Sequence, residues 1–563
     1  MSSLSFAQAG RNDVIIDEIM ADPSPPVLLT GGLPEVEFIE LKNISARPFN
    51  LTGWKIGDAT TTATIAANFT LQPDSFVIIC SNNAAPSLSV FGTTTIGLSN
   101  FPSLDNEGEI IYVRSKEGKL IYALQYDKSW YRNTVKSDGG WSLEMIDTKN
   151  ACTGYPNWKA SMHPQGGTPG KKNSVDQINK DELPPRISRA YATDSVDITM
   201  VFDEPLDSAQ AAVAGNFFVS DDIGVPLYAI VATPLFSSVM LRLKTPLKTN
   251  KIYTLSAKNI SDCSSNTIQS GTLAKVGFAS LADSFDIVIN EILFNPRPDG
   301  VDYVEIYNRS NRIFDLKDLY IANRLSNGII GSLKQLSSSQ YLIFPDDYFV
   351  ISENSMAVRQ QYVSKNPEVF LEISMPSLPD DRGTLVLLNR AGRIIDELAY
   401  DEKWHFKLID NNEGVSLERI DYNKPTQNPQ NWHSASTDAG YGTPSFRNSQ
   451  FRANEQADGK ISVSPSTFSP DNDGFDDFLT INYQFPEPGY TCNIVLYDVT
   501  GRAVRYLCRN ALCGPKGYFR WDGLDEKNNG LNVGVYVMIT EVFNLSGKVK
   551  RFKNAVVLAR KFK

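Results

Sequence analysis

The sequence contains one module twice, and this duplication limits the possible folds more than any other feature. Trp141-Ser142-Leu143-Glu144 returns as Val415-Ser416-Leu417-Glu418. Other landmarks recur at nearly the same spacing: Asp17-Glu18-Ile19 with Asn290-Glu291-Ile292, Glu37 to Leu41 with Asp302 to Ile306, Asn157-Trp158 with Asn431-Trp432, and Thr168-Pro169 with Thr443-Pro444. A module of this size is too long for one unit of a solenoid. We therefore expect two copies of one folded domain.

The residue pattern is that of β-strands along most of the chain. Short β-branched or aromatic runs such as Val14 to Ile16, Phe76 to Cys80 and Glu109 to Val113 are separated by Gly, Pro, Asn and Asp. Alternation of this kind is typical of sandwiches and barrels. The best helical candidate, Ser355 to Tyr362, is short. The sequence therefore predicts an all-β chain.

Charge and hydropathy exclude two classes of protein. The chain has 54 Lys and Arg against 64 Asp and Glu, a net charge of −10, so no overall field attracts nucleic acid and no nucleic-acid partner is expected. No apolar run approaches the roughly 20 residues of a membrane helix, so no transmembrane segment is expected. A basic cluster near the C-terminus is interpreted as solvated strand faces, with a local basic patch as the alternative: Lys548, Lys550, Arg551, Lys553, Arg560, Lys561 and Lys563.

The N-terminus and the cysteines bear on the compartment. Ala7-Gln8-Ala9 is similar to the cleavage end of a secretory signal whose preceding part is missing, and an ordinary disordered terminus is the alternative. The six cysteines contain no CxxC metal motif and are too sparse for a disulfide scaffold: Cys80, Cys152, Cys263, Cys492, Cys508 and Cys513. If the chain is exported, Cys508 and Cys513 could pair.

Proline-rich or polar joints divide the chain into five segments. The predicted segments are 1–10, a signal-peptide remnant or disordered stretch; 11–180, the first copy; 181–283, a different β-rich unit; 284–452, the second copy; and 453–563, a last β-rich unit.

The two copies resemble the lamin tail domain, an immunoglobulin-like β-sandwich. The residues that carry the resemblance in the first copy are Ile16 to Met20, Glu37 to Asn43, Leu51 to Trp54, Gly97-Leu98, Gly108 and Trp141 to Glu144. In the second copy they are Ile289 to Ile292, Tyr303 to Asn308, Leu316, Leu319, Gly383, Ser416 to Glu418 and Gly442 to Pro444. The resemblance implies scaffold or binding modules without catalytic residues of their own.

The other two units resemble different families. The spacer resembles the bacterial Ig-like domains of surface-layer and adhesin proteins, through Ile198 to Leu206, Val239 to Leu243 and Tyr253 to Leu255. The last unit resembles the C-terminal domains of type IX secretion substrates and the related Ig-like fold of flagellar hook caps, through Phe468 to Asp477 and Ile494 to Arg502. Together these resemblances imply an all-β chain of tandem immunoglobulin-like β-sandwich domains.

Two groups of acidic residues are candidates for chemistry. Glu18, Glu40 and Glu144 could form a catalytic carboxylate cluster, but we interpret them as structural. Strand alternation puts Glu40 on the face opposite Ile39 and Leu41, and a glutamate at a strand end commonly accepts hydrogen bonds from loop N–H groups. No catalytic motif occurs in a supporting context, and no catalytic residue is predicted.

The loop from residue 471 to 477 is the strongest candidate metal site. Its carboxylates are Asp471, Asp473, Asp476 and Asp477. Calcium prefers six to eight oxygen ligands, and Gly474 permits the bend that lets one loop wrap an ion. The alternative is a turn whose aspartates cap backbone amides.

The sequence therefore predicts a non-catalytic, exported scaffold or adhesion protein of the cell surface, associated with the outer membrane. The last unit would contact secretion or anchoring machinery of a type IX-like route, and a surface polymer or protein is a further possible partner. A carbohydrate-binding accessory protein is the main alternative, with Trp54, Trp130 or Trp404 as an exposed platform. A hydrolase is the third possibility.

Overall fold

The computed structural model describes residues 8–27, 32–91, 94–409, 411–452, 459–545 and 549–560. Regular structure in these ranges is mainly β-strand, with short α-helices at α1 (Ala85–Leu88), α2 (Ser208–Ala211) and α3 (Ser355–Gln361). The predicted all-β class of tandem sandwiches is confirmed. Residues 1–7, which belong to the predicted signal remnant, lie outside the described ranges. So do Lys548, Lys561 and Lys563 of the basic cluster.

The chain forms two compact units, one of residues 1–248 with 252–278 and one of residues 249–251 with 279–563. The first unit begins with a sandwich whose six-stranded sheet has the order β12-β11-β1-β2-β7-β8. A four-stranded sheet, β10-β9-β4-β5, and the pair β3-β6 complete it. The strands are β1 (Val14–Met20), β2 (Phe38–Asn43), β3 (Phe49–Asn50), β4 (Lys55–Gly57), β5 (Thr62–Thr64), β6 (Thr70–Leu71), β7 (Phe76–Ser81), β8 (Thr94–Leu98), β9 (Ile110–Arg114), β10 (Leu120–Gln125), β11 (Leu143–Met145) and β12 (Trp158–Ala160).

The same unit continues with a smaller sandwich, the spacer. A four-stranded sheet, β13-β14-β17-β16, and a three-stranded sheet, β15-β18-β19, share one apolar core around Met200, Leu241 and Leu255. The strands are β13 (Ile187–Ala192), β14 (Asp197–Phe202), β15 (Phe217–Val219), β16 (Tyr228–Val231), β17 (Ser238–Arg242), β18 (Tyr253–Ala257) and β19 (Leu273–Val276).

The second unit begins with a sandwich of the same topology as the first. Its sheets have the orders β31-β30-β20-β21-β26-β27, β29-β28-β23-β24 and β22-β25. Even the bulge after Ile16 in β1 has a counterpart after Ile289 in β20. The strands are β20 (Ile287–Leu293), β21 (Tyr303–Asn308), β22 (Phe314–Asp315), β23 (Leu319–Asn323), β24 (Lys334–Gln335), β25 (Leu342–Ile343), β26 (Tyr348–Ser352), β27 (Phe370–Glu372), β28 (Arg382–Asn389), β29 (Ile394–Asp401), β30 (Leu417–Arg419) and β31 (Trp432–Ser434).

The second unit ends with the last domain. A three-stranded sheet, β32-β34-β37, and a five-stranded sheet, β33-β39-β38-β35-β36, enclose a core that includes Trp521 and Met538. The strands are β32 (Lys460–Ser464), β33 (Thr467–Phe468), β34 (Leu479–Gln484), β35 (Tyr490–Tyr497), β36 (Ala503–Cys513), β37 (Lys516–Trp521), β38 (Gly534–Asn544) and β39 (Val549–Leu558).

The six-stranded sheets are covered on both faces. Every residue of β2 is buried. The alternation of polar and apolar residues in this strand would by itself predict one face in solvent. Ile39 and Leu41 belong to the core between the sheets, whereas Phe38 packs on the other face with Ile78 and Leu88. The position predicted for Glu40, opposite Ile39 and Leu41, is thus an interior one.

Candidate functional site

Each repeated sandwich contains a row of three glutamates across neighbouring strands. In the first, Glu18 of β1 is directly opposite Glu144 of β11 on one side and Glu40 of β2 on the other. The second row is the equivalent set: Glu418, Glu291 and Glu305. All six side chains are fully buried, at 0% exposure. Like charges directly opposite each other destabilise a sheet, so the rows need compensation.

The compensation in the first sandwich comes mainly from residues 166–175, which we call its closing segment. Glu18 Oε1 accepts hydrogen bonds from the Ser142 hydroxyl at 2.6 Å and from the Thr168 N–H at 2.7 Å. The Thr168 hydroxyl also donates to Glu144, at 2.8 Å. The other donors are Ser174 Oγ and Val175 N to Glu144, and Gly170 N to Glu40. The row therefore fastens the closing segment to the sheet.

The second sandwich repeats this arrangement, with residues 441–450 as its closing segment. Thr443 donates its N–H to Glu291 at 2.9 Å and its hydroxyl to Glu418 at 2.8 Å. The further donors are Ser416 and Tyr303 to Glu291, Ser449 and Gln450 to Glu418, and Asn290 and Ser445 to Glu305. The structural interpretation of the glutamates thus agrees with their contacts.

Burial shifts the pKa values of five of the six glutamates. It raises the pKa values of Glu18, Glu40, Glu291 and Glu305, and it raises the pKa of Glu418 to about 8, with the neighbouring Glu291 as the next cause. Glu18 Oε2 and Glu40 Oε1 are buried without a hydrogen-bond partner. A buried charged carboxylate with one unpaired oxygen is costly, so burial favours the protonated form of Glu18 and Glu40. With no exposed atoms, the rows offer a substrate no access.

The aspartate loop brings three of its four predicted ligands together. Oxygen atoms of Asp471, Asp473 and Asp477 lie within 4.8 Å of one another. Asp476 is not in this group; its backbone is left-handed, with φ of 51°, and its carbonyl oxygen accepts the Ser469 N–H at 2.8 Å. The three grouped side chains are exposed or half-buried, which leaves room for an ion and its water ligands.

The aspartates also cap the turn, as the alternative interpretation expects. Asp477 accepts hydrogen bonds from the N–H groups of Asn472 at 2.7 Å and Gly474 at 2.9 Å. Asp473 accepts from the Phe475 N–H at 2.8 Å. Each of these carboxylates can use its remaining lone pairs for a cation, so capping and cation binding are compatible.

The structure brings together a second acidic group that sequence reasoning missed. Asp181, Glu204 and Asp262 have oxygen atoms within 4.8 Å of one another. Burial, followed by Asp181 and Asp262, raises the pKa of Glu204 to about 8. Asp262 accepts two hydrogen bonds from Asn266, at 2.8 and 2.9 Å. The three acids are far apart in the sequence, so no local motif could have indicated the group.

The cysteines are paired differently from the expectation. Cys152 of the first sandwich and Cys263 of the spacer form a disulfide, with Cα atoms 6.3 Å apart and a sequence separation of 111. Cys508 and Cys513 are free thiols. Both lie on β36, on either side of a bulge at which the backbone of Asn510 is left-handed. Because both thiols are free, the suggested pairing of Cys508 with Cys513 is not present in the structure.

The candidate tryptophans and His405 pack inside the sandwiches. Trp54 and Trp130 are 5% and 7% exposed, and Trp404 packs on the second core, so these rings form no exposed platform. The His405 ring lies 5.6 Å from the Phe294 ring and its Nδ1 is 2.9 Å from Ser434 Oγ. Ser434 is fully buried, so this contact is closed to a substrate. Burial, followed by His433, lowers the pKa of His405 to about 4.

One part of the chain matches a known family model. A family model described as Lamin Tail Domain matches residues 7–128. No curated protein matches the chain in sequence. Within the described ranges, no helix has the length and apolar character needed to cross a bilayer.

Solved structures with local similarity include proteins of bacterial surfaces. The N-terminal part of the bacterial S-layer protein SbsC is 16% identical, with a TM-score of 0.17, 29% of this chain and 45% of that chain covered. A DUF4876 family protein from Bacteroides thetaiotaomicron is 11% identical, with a TM-score of 0.17 and coverages of 38% and 84%. A Ca²⁺-stabilised adhesin of an Antarctic bacterium is 9% identical, with a TM-score of 0.12 and coverages of 98% and 100%. The chain thus spans less than half of the SbsC structure, and TM-scores of this size define no common overall fold.

Proposed function

We propose that this protein is a non-catalytic, exported scaffold or adhesion protein of the cell surface. It consists of two lamin-tail-like sandwiches (11–180 and 284–452), an Ig-like spacer (181–283) and a C-terminal sorting or docking domain (453–563). The observation that carries the proposal is the disulfide between Cys152 and Cys263. Disulfides persist in oxidising compartments and are rare in the cytosol of mesophiles.

The position of this disulfide supports a mechanical role. It joins the first sandwich covalently to the spacer, so the two domains stay connected even where the linker between them is cut. Asn266 of the spacer also donates to the carbonyl oxygen of Asp181 in that linker, at 3.1 Å. A load-bearing or adhesive chain at the cell surface benefits from such a connection, because proteases and shear act there.

The closed glutamate rows support the absence of catalysis. Catalytic carboxylates need contact with substrate and a pKa suited to proton transfer. The six glutamates are buried under the closing segments and accept hydrogen bonds from the protein itself. We infer that they stabilise the sandwiches and transfer no proton to a ligand.

We assign contact with the export or anchoring machinery to residues 453–563. This region has its own core, and its resemblance to sorting domains of the type IX-like route is the reason for the assignment. We further propose that Asp471, Asp473 and Asp477 bind a calcium-like ion that stabilises this domain. The grouping of three carboxylates within 4.8 Å supports that assignment.

Fractionation of the source cells tests the proposal directly. We expect the full chain in the outer-membrane or medium fraction, with Cys152 and Cys263 protected from alkylation until a reductant is added. A chain found in the cytosol with both thiols free would contradict export. A chain lacking residues 461–563 should remain inside the cell envelope, while its protected Cys152 and Cys263 verify that the rest is folded. Normal secretion of this truncated chain would remove the sorting role.

A further inference from the structure

Three cysteines come together on the five-stranded sheet of the last domain. Cys492 lies on β35, and Cys508 and Cys513 lie on the neighbouring strand β36. The register puts Cys492 opposite Ala511, between the two other cysteines. The Cys492 thiol interacts with both of their thiols. One central thiol therefore has two possible disulfide partners.

Contacts and exposure favour Cys508 as the partner. Its Sγ atom lies 3.6 Å from the carbonyl oxygen of Cys492, across the strand pair. The Cys513 thiol points instead to the carbonyl oxygen of Ala511 in its own strand, also at 3.6 Å. Cys508 is half-buried, whereas Cys492 and Cys513 are 1% and 0% exposed. An oxidant in solution can thus reach Cys508 first.

We propose that Cys492 and Cys508 are the site of a second disulfide, formed by exchange with a disulfide oxidant of the glutathione type. The Cys508 thiolate attacks one oxidant sulfur, a mixed disulfide forms, and the departing oxidant thiolate takes up the proton that Cys508 lost. The Cys492 thiolate then attacks the Cys508 sulfur and displaces the second oxidant thiolate, which takes up the Cys492 proton. Two protein thiols and one oxidant disulfide become one protein disulfide and two oxidant thiols.

The surroundings determine the rate and the effect of this reaction. The Cys492 thiol, followed by burial, raises the pKa of Cys508, so little thiolate exists at neutral pH and the exchange accelerates as the pH rises. The cross-link would join β35 to the strand that contacts the second sandwich. There the backbone of Leu512 pairs with Thr437 through hydrogen bonds of 2.9 and 3.0 Å. The disulfide would therefore fix the strand that bears this contact.

Peptide mapping of the purified full chain tests the proposal, independently of whether the chain is exported. The chain is incubated with oxidised glutathione at alkaline pH and then unfolded in denaturant, so that its buried free thiols can be alkylated, and it is digested with trypsin. Cleavage after Lys460, Arg502, Arg505, Arg509 and Lys516 separates the three cysteines onto the peptides 461–502, 506–509 and 510–516. The three possible links thus have three different masses.

We expect peptide 461–502 linked to 506–509, and a fall of about tenfold in the alkylation of Cys492 after oxidation. Cys508→Ser should abolish the link, and Cys513→Ser and the remote control Cys80→Ser should retain it. Peptide 461–502 recovered entirely unlinked after oxidation, or linked to 510–516 in the unsubstituted chain, would overturn the proposal.

Discussion

The N–H of Thr168 donates to Glu18 at 2.7 Å across 150 residues of sequence. In the second sandwich the N–H of Thr443 donates to Glu291 at 2.9 Å across 152 residues. The glutamates lie on the first strand of each sandwich and the threonines on its closing segment. The rows thereby join the first strand of each domain to its closing segment. Because each row needs both ends of the domain, the two ends are expected to recur together in the sequence.

Replacing Glu18 by alanine should destabilise the first sandwich strongly. The Thr168 N–H would lose its acceptor and the Ser142 hydroxyl would keep only a long contact with the Gly166 carbonyl oxygen at 3.4 Å, at a cost of roughly 2–4 kcal/mol for the two buried donors. Urea unfolding monitored by tryptophan fluorescence measures the loss, and Glu291→Ala should cause a similar loss in the second sandwich. The control Glu182→Ala replaces an exposed side chain and should change stability by less than about 0.5 kcal/mol. Equal effects of Glu18→Ala and Glu182→Ala would show that the row is unimportant.

The second sandwich should lose stability as the pH rises above neutral. The pKa of Glu418 is raised from 4.5 to about 8 in the folded state, so its stabilising contribution is complete below pH 4.5 and is lost as the pH rises through 8. The slope from one such group is at most about 1.4 kcal/mol per pH unit.

Thermal unfolding at pH 6 and pH 9 tests this dependence. Glu418→Gln, which imitates the protonated acid, should reduce the difference between the two melting temperatures, whereas the exposed Glu402→Gln should not. A melting temperature that rises from pH 6 to pH 9, or an unchanged difference in Glu418→Gln, would contradict the prediction.

The sequence predicts those features of the fold that recur or that follow strand periodicity. The repeat of Trp141 to Glu144 at residues 415–418 anticipated two sandwiches of one topology, and alternation placed Glu40 correctly opposite Ile39 and Leu41. Alternation alone could not show that Glu40 is buried, because the cover comes from Gly170 and its neighbours, far away in sequence. Burial of that face depends on tertiary packing.

Contacts between distant residues were beyond sequence reasoning for the same physical reason. Cys152 and Cys263 are 111 residues apart, and no local spacing distinguishes their pairing from others. The suggested pairing of Cys508 with Cys513 relied on closeness in sequence, which does not show that two thiols on one strand meet, and both are free in the structure. In the aspartate loop, the sequence indicated the cluster, but only the folded backbone, which is left-handed at Asn472 and Asp476, shows which carboxylates meet.

Removing the disulfide should loosen the connection between the first sandwich and the spacer. A cross-link that closes a loop of about 100 residues stabilises a protein by up to about 4.7 kcal/mol in the chain-entropy model. In Cys263→Ser we expect a lower unfolding midpoint and faster tryptic cleavage after Lys172 and Lys180. The two fragments of the cleaved native chain should stay together on a non-reducing gel and separate after reduction. Fragments that separate without reductant would show that the disulfide does not form in the protein.

Calcium should raise the melting temperature of the last domain through Asp471, Asp473 and Asp477. Three carboxylates within 4.8 Å repel one another, and a cation would compensate their charge beyond the backbone N–H groups that they already accept. An ion that binds only the folded state contributes about 2.7 kcal/mol at a hundredfold excess over Kd. For a domain of this size, that corresponds to a shift of roughly 10–20 °C.

The decisive measurement compares thermal unfolding of the full chain in calcium and in chelator for two matched variants. Asp473→Asn removes a grouped charge but keeps an oxygen that can accept the Phe475 N–H, so it should abolish most of the calcium response. Asp476→Asn removes a neighbouring charge outside the group, at a left-handed position that asparagine tolerates, so it should preserve the response. Equal melting in calcium and chelator for the unsubstituted chain would mean that these aspartates only cap the turn. An equal loss in both variants would mean that the total charge of the loop matters and the grouping does not.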